Sequence, residues 1–183
     1  MYELLILGSL MQRDMSGYKL RIILQNSMIP RRPISNSVIY PVLKKLAEQQ
    51  YIELYDEKES EHSGKMARIT EAGAAYLKEL MLQPVEMTAK RESIYRCKLR
   101  ALAVVSKPEQ IQILQAYQHD VADDLDTYQE VMDHLTYLLT VNENKKDFLK
   151  WSIKNLELAI KLTSTTLEWL QAEITEIEES IGE

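Results

Sequence analysis

The chain of 183 residues is poor in the residues that punctuate or staple a fold: one cysteine, five glycines, five prolines, one phenylalanine and two tryptophans. A single Cys97 cannot close an internal disulfide, so no disulfide scaffold is available and a reducing compartment is expected. So few glycines and prolines exclude a collagen-like or low-complexity chain and leave long stretches free for helix. The glycines form no phosphate-cradling loop. His62, His119 and His134 show no metal-ligand spacing with one another, and Cys97 has no evident base beside it, so no metal, cofactor or enzymatic activity is expected. No apolar run reaches the ~18 residues of a membrane span. The apolar start, MYELLILGSLM, lacks the basic lead-in and cleavage pattern of a signal peptide. A soluble, cytoplasmic protein is expected, and 45% apolar residues can bury a real core.

Charge is the next shortage, and it is local. The formal net charge of −6 would discourage a nucleic-acid partner if it were spread evenly. Residues 1–80 carry 11 bases against 10 acids, whereas residues 81–183 carry 11 against 18. Between Met15 and Ala47 there are six bases (Lys19, Arg21, Arg31, Arg32, Lys44 and Lys45) and no acid. Screening confines a surface field to about 8 Å at physiological salt, so this local patch governs attraction to phosphate, not the mean. Arg31 and Arg32 are therefore candidate DNA contacts.

What is present reads as helix, helix, helix, hairpin, helix over the first eighty residues. Tyr2–Met11 and Gly17–Leu24 have helical apolar spacing, and Pro30 and Pro33 mark a connector. A third helix is expected from about Asn36 to Gln50. Two short strands follow, the first starting at Tyr51 and Ile52, the second ending at Ile69, around a polar tip near Gly64. Thr70 then caps a fourth helix. This order is that of a winged helix-turn-helix, with the second and third helices as the reading pair and the hairpin as the wing. The fold class expected is mainly α with a small β-hairpin wing. Its domains are a winged domain over 1–82 and a helical dimerisation and effector domain over 83–183.

Beyond Pro84 a helix is expected from about Glu86 to Val105. Ser106, Pro108 and Glu109 then form a helix start with capping-box spacing. From there Ile111, Leu114, Gln118, Val121, Leu125, Tyr128, Met132, Leu135 and Leu139 follow at alternating steps of three and four. TVNENKKD interrupts, and the pattern resumes through Ile153, Leu156, Ile160, Thr163, Leu167, Leu170, Ile174, Ile177 and Ile181. A sustained period of 3.5 specifies a seam between coiled helices, and the short connector makes the two helices antiparallel neighbours. A lone two-helix hairpin leaves apolar surface wet, and Tyr117, Tyr137, Leu138, Leu158, Leu162 and Trp169 lie off the seam. A homodimer is the expected remedy, with Ile153, Leu156, Ile160, Leu167, Leu170, Ile174 and Ile177 as dimerisation residues. The alternative is that these helices wrap back on their own winged domain.

On the third helix, Ile39, Val42, Leu43 and Leu46 form one stripe, while Ser37, Tyr40, Pro41 and Lys44 fall on the opposite face. Ser35, Asn36 and Ser37 mark its start, where unpaired N–H groups and the helix dipole suit a phosphate. Small residues allow close approach to a groove, Tyr40 offers a ring and a hydroxyl, and Lys44 a mobile cation. Each feature alone has a plainer reading, as a cap, a packed ring or a solvated charge. Together, in an acid-free segment, they point to DNA.

SGYKL at 16–20, SNSVIYPVLKKLAEQQYIEL at 35–54 and GKMARITEAG at 64–73 resemble the PadR family of bacterial transcriptional regulators. MTAKRESIYRCKLRAL and TTLEWLQAEI resemble elements of its larger subfamily, which has a long C-terminal helical domain and includes phenolic-acid-responsive repressors and virulence-gene activators. The resemblance implies a dimer that sets two recognition helices in successive major grooves of a palindromic operator. It implies DNA contacts from Ser35, Asn36, Ser37, Tyr40 and Lys44, with Lys65 and Arg68 on the wing, and a packing role for Gly17 and Tyr18. It places an effector pocket between the winged domain and the C-terminal helices, with Tyr95, Arg96, Tyr117 and Trp169 as candidates. Two departures stand out. Met66 and Ala67 replace the aromatics usual before Ile69, and the tip DEKESEH is acidic, which would repel phosphate.

The function expected is a DNA-binding regulator, a repressor released by a small molecule or stress signal. The competing reading is a winged-helix module that binds proteins through its acidic wing and coiled helices, without direct DNA binding. A redox role for Cys97, set among cations in YRCKLRAL, is a further alternative.

Overall fold

The computed structural model describes residues 1–27, 33–56, 65–141 and 145–182. Two compact units emerge, Met1–Gln110 and Ile111–Glu183. The first contains α1 (Tyr2–Leu10), β1 (Met15–Ser16), α2 (Gly17–Ser27), α3 (Asn36–Glu48), β2 (Ile52–Asp56), β3 (Lys65–Ile69), α4 (Glu71–Leu82) and α5 (Arg91–Arg100). The long helices are α6 (Lys107–Val141) and α7 (Lys146–Gly182).

α1 is apolar nearly all round, and Leu4 to Leu7 and Leu10 are buried because α2, α3, α4 and α5 all pack against it. One polar residue orders this hub. Glu3 accepts a hydrogen bond from Lys45 Nζ at 2.8 Å and another from Tyr76 Oη at 3.0 Å, tying α3 and α4 to α1. Partial burial opposes ionisation of Glu3, but the bonds from Lys45 and Tyr76 outweigh it and hold the carboxyl below its ordinary range. On the other side of the bond, burial and Glu3 push the Tyr76 hydroxyl up to about 12. Tyr76 also stacks on Tyr51, with centroids 4.3 Å apart.

The wing is a three-stranded antiparallel sheet in the order β1-β3-β2. β2 and β3 pair as expected for the hairpin, Ile52 opposite Ile69 and Asp56 opposite Lys65. The unexpected member is β1, where Met15 faces Ala67 and Ser16 faces Met66. This resolves the missing aromatics before Ile69: Ala67 is fully buried, and the added strand covers the flank that a large ring would otherwise fill.

Thr70 caps α4, accepting from Gly73 N at 3.0 Å while its hydroxyl donates to the Gln50 carbonyl at 2.7 Å. Gly73 is obligatory there, since a Cβ would lie 2.0 Å from the Tyr51 carbonyl oxygen. The winged fold closes at Leu82, but the compact unit continues to Gln110 because α5 packs on α1. α5 also begins later than its apolar pattern suggested. Thr88 accepts from Lys90 N at 3.3 Å, and Thr88 N donates to the Glu86 carbonyl, forming a turn that displaces the first helical residues. At its far end, buried Lys98 donates Nζ to the carbonyl of Gln83, the residue that ends α4. Burial lowers the Lys98 pKa, and the carbonyl at a helix C-terminus is a fitting acceptor.

Ser106 and Glu109 open α6 with the expected capping box: Ser106 N donates to Glu109 Oε2 at 2.7 Å. Every residue of the seam from Ile111 to Leu139 is buried or half-buried, as is the matching row on α7 from Ile153 to Ile177. Gln118 Nε2 meets Gln171 Oε1 at 2.9 Å between the two helices. The seven residues expected at a dimer contact are thus covered within one chain: Leu156, Leu170 and Ile174 are buried, the other four half-buried. Among the described residues no helix is long and apolar enough to cross a membrane, and no His, Cys, Asp and Glu group could hold a metal ion.

Candidate nucleic-acid interface

α3 has two unlike faces. Ile39, Leu43 and Leu46 are buried, with Val42 half-buried beside them. Ser37, Tyr40, Pro41 and Lys44 are all exposed, Tyr40 at 51%. The helix runs through Pro41, whose ring projects from the exposed side. Tyr40 is held from beneath by Gly17: a Cβ on that glycine would stand 3.0 Å from the Tyr40 ring and 3.2 Å from Leu43. The packing role expected of Gly17 is what the structure has. Tyr18 differs, being 62% exposed, with the Arg21 guanidinium 5.3 Å from its ring centre. The residue after a buried glycine at a helix start points away from the core, so Tyr18 belongs to the same outer surface as Tyr40. The second strong aromatic in SGYKL was readable only once the helix was placed.

The start of α3 is open. Ser35 makes no side-chain cap; its hydroxyl bonds that of Ser37 at 2.6 Å instead. Arg21 secures the approach, donating to the Ile34 carbonyl at 3.3 Å. Lys44 pairs with Glu48 at 3.7 Å, both well exposed, an arrangement of little strength that a phosphate can displace. Lys45 differs from its neighbour, since Glu3 holds it. Of the lysine pair, one is structural and one is available.

On the wing, Lys65 is exposed at the head of β3. Arg68 is engaged. Its guanidinium lies 2.8 Å from Asp14 Oδ2, the same oxygen accepts from Tyr55 Oη at 2.6 Å, and the guanidinium sits 5.0 Å from the Tyr55 ring centre. Hydrogen bonds from Tyr55 and Arg68 hold the Asp14 carboxyl below its ordinary range. Arg31, Arg32 and residues 57–64 of the acidic tip lie outside the described residues.

The four effector candidates are dispersed. Tyr95 and Tyr117 are buried, Arg96 donates to Glu92 at 2.7 Å, and Trp169 is exposed. A cavity of about 240 Å³ lies instead inside the first unit, among α1, β1, α2 and α5. Leu4, Leu5, Met15 and Ile23 supply its apolar wall, Arg13 and Arg100 its charge, and no carboxylate lines it. Cys97 opens onto the same space. Burial pushes its thiol up to about 11, against the pull of the N-terminal ammonium and Arg100, so it is an unreactive thiol and not the sensor its cationic neighbours suggested.

A winged helix-turn-helix with an exposed, acid-free third helix defines a class, the DNA-reading winged domains. Residues 6–79 match the transcriptional regulator PadR-like family, and the winged domain of this chain belongs to it. That family consists of transcriptional regulators, not enzymes. No curated protein matches the chain. Among solved structures, Bacillus subtilis PadR in complex with operator DNA is 21% identical, with 96% of this chain and 98% of that one covered, at a TM-score of 0.43. The same protein with p-coumaric acid has 21% identity, the same coverage and a TM-score of 0.41. The PadR-like regulator BC1756 from Bacillus cereus has 20% identity, coverage of 98% and 99%, and a TM-score of 0.41.

Proposed function

We propose that the chain is a dimeric, sequence-specific DNA-binding regulator that acts as a repressor and is released by a small-molecule effector. The observation that carries this reading is the division of α3: its inner face is sealed into the core, and its outer face presents Ser37, Tyr40 and Lys44 to solvent. Ser35 and Asn36 lie at the open helix start, Lys65 and Arg68 on the wing, and Arg31 and Arg32 in the approach to α3. In this assignment Lys44 and Lys65 meet phosphates and Tyr40 reaches into the groove. Arg68 must first exchange Asp14 for a phosphate.

Two copies give the α3 helices the spacing of one helical turn, about 34 Å, on a palindromic operator. The effector fits the cavity of the first unit better than the four residues read from the sequence. Apolar walls with two guanidinium groups and no acid favour a small organic anion. The cavity touches Arg13 and Met15, which flank Asp14, so an occupant there could reach the wing through its Asp14 anchor.

Selection of bound sequences from a random duplex library by the purified protein tests this directly. A shared inverted repeat is expected, with binding that weakens steeply as salt rises. Enrichment of no sequence and no salt dependence would favour the protein-interaction reading.

A further inference from the structure

α7 carries a second row of large apolar residues that the hairpin does not cover. Phe148, Trp151, Asn155, Leu158, Leu162, Thr165 and Trp169 follow one another at steps of three and four, and all seven are exposed. Phe148 is 75% exposed, Trp151 72% and Leu162 61%. The steps are those of the buried seam on the same helix, displaced around its axis. A row with a 3.5-residue period over three heptads is the pattern of a helix that faces another helix, not of a solvated surface.

The row is also self-complementary. Run backwards against a second copy with the two-fold axis beside Ile160, it sets Trp151 opposite Trp169, Asn155 opposite Thr165 and Leu158 opposite Leu162. Aromatic meets aromatic, polar meets polar and leucine meets leucine. The charges on α7 divide in the same sense. Residues 146–164 hold four lysines against two acids, whereas residues 165–182 hold five glutamates and no base. An antiparallel pair places the basic half of each helix beside the acidic half of its partner. A parallel pair would set glutamates against glutamates along half its length.

We infer that α7 pairs antiparallel with α7 of a second copy through this row, centred at Ile160, so that two hairpins form a four-helix bundle with the α7 helices inside. The inference rests on the dimeric reading above and specifies its surface and register. The polar Asn155–Thr165 steps fix that register, because any slip would leave them against apolar groups. The apolar area enclosed is roughly 1,000 Å² over the two copies, in the range of a specific interface.

Paired cysteines test the geometry. In a Cys97→Ser background, Asn155→Cys with Thr165→Cys should cross-link two chains on mild oxidation. Each change alone should not, since like positions would stand about 15 Å apart along the helices. Both sites are exposed, so the fold is not at risk. Leu158→Glu with Leu162→Glu should raise the dimer dissociation constant at least ~100-fold by light scattering while helical circular dichroism is retained. Cross-linking by the single variants would mean a parallel pair and overturn the inference. A dimer by light scattering without cross-linking in the double variant would also overturn it, leaving the dimeric regulator standing on another surface. A monomeric wild-type chain would sink both.

Discussion

At the scale of single residues, the deciding contrast is between cations that the fold uses and cations it leaves to solvent. Lys45 is tied to Glu3 and Arg68 to Asp14, whereas Lys44 has only a weak exposed partner in Glu48. Lys44→Ala should therefore weaken binding to every duplex alike and flatten the slope of log K against log salt by about one; titration at four salt concentrations measures it. An unchanged slope would remove Lys44 from the interface. Asp14 gives a second expectation, with its sign set by ionisation. Its folded pKa is depressed by Tyr55 and Arg68, so its contribution is fully present above the unfolded value of about 3.9 and is lost as pH falls through the folded value. Asp14→Asn should melt lower than the wild type at pH 7, and the two should converge as pH drops below the carboxylate range. A gap that stays constant with pH would mean that the charge of Asp14 contributes nothing to the wing.

At the scale of elements, the winged order, both hairpin strands, the Thr70 cap and the Ser106–Glu109 capping box were all legible, because each is written in local spacing that tertiary structure did not override. β1 was not, since two residues are too few to show alternation and Met15 and Ser16 become a strand only when β3 lies beside them. The late start of α5 escaped for the converse reason: apolar spacing favoured helix from Glu86, but the Thr88 turn competes for the same backbone groups. The candidate site was legible on α3, where a single helix carries it, and illegible where residues distant in sequence meet, as Asp14, Tyr55 and Arg68 do. The junction of wing and α4 is the element most exposed to damage. Thr70→Ala should cost about 1 kcal/mol through loss of the cap. Gly73→Ala should cost about 3 kcal/mol or more, since backbone must move to admit the methyl group. Urea titration of both variants checks the order, and a harmless Gly73→Ala would mean that the β2–α4 junction is slack.

At the scale of the whole molecule, charge and apolar surface are partitioned by task. Residues 1–80 are near neutral with an acid-free stretch, and the remainder holds the acidic excess. That excess keeps the helical half off phosphate without weakening the local field of α3, since the field decays within about 8 Å. Affinity for an operator then depends on two weak sites acting together. A chain made monomeric by Leu158→Glu and Leu162→Glu should lose at least ~100-fold in affinity for the full inverted repeat, yet bind a single half-site as the wild-type protomer does. Gel shifts on full and half operators separate the two quantities, and equal losses on both would place the damage in the winged domain. The two-residue β1 carries a practical consequence for anyone splicing a label into this protein. Side chains alternate along a strand, so one inserted residue between Asp14 and Gly17 would turn Met15 outward and pull α2 out of step with the sheet. A reporter belongs elsewhere, because this junction tolerates no change of length.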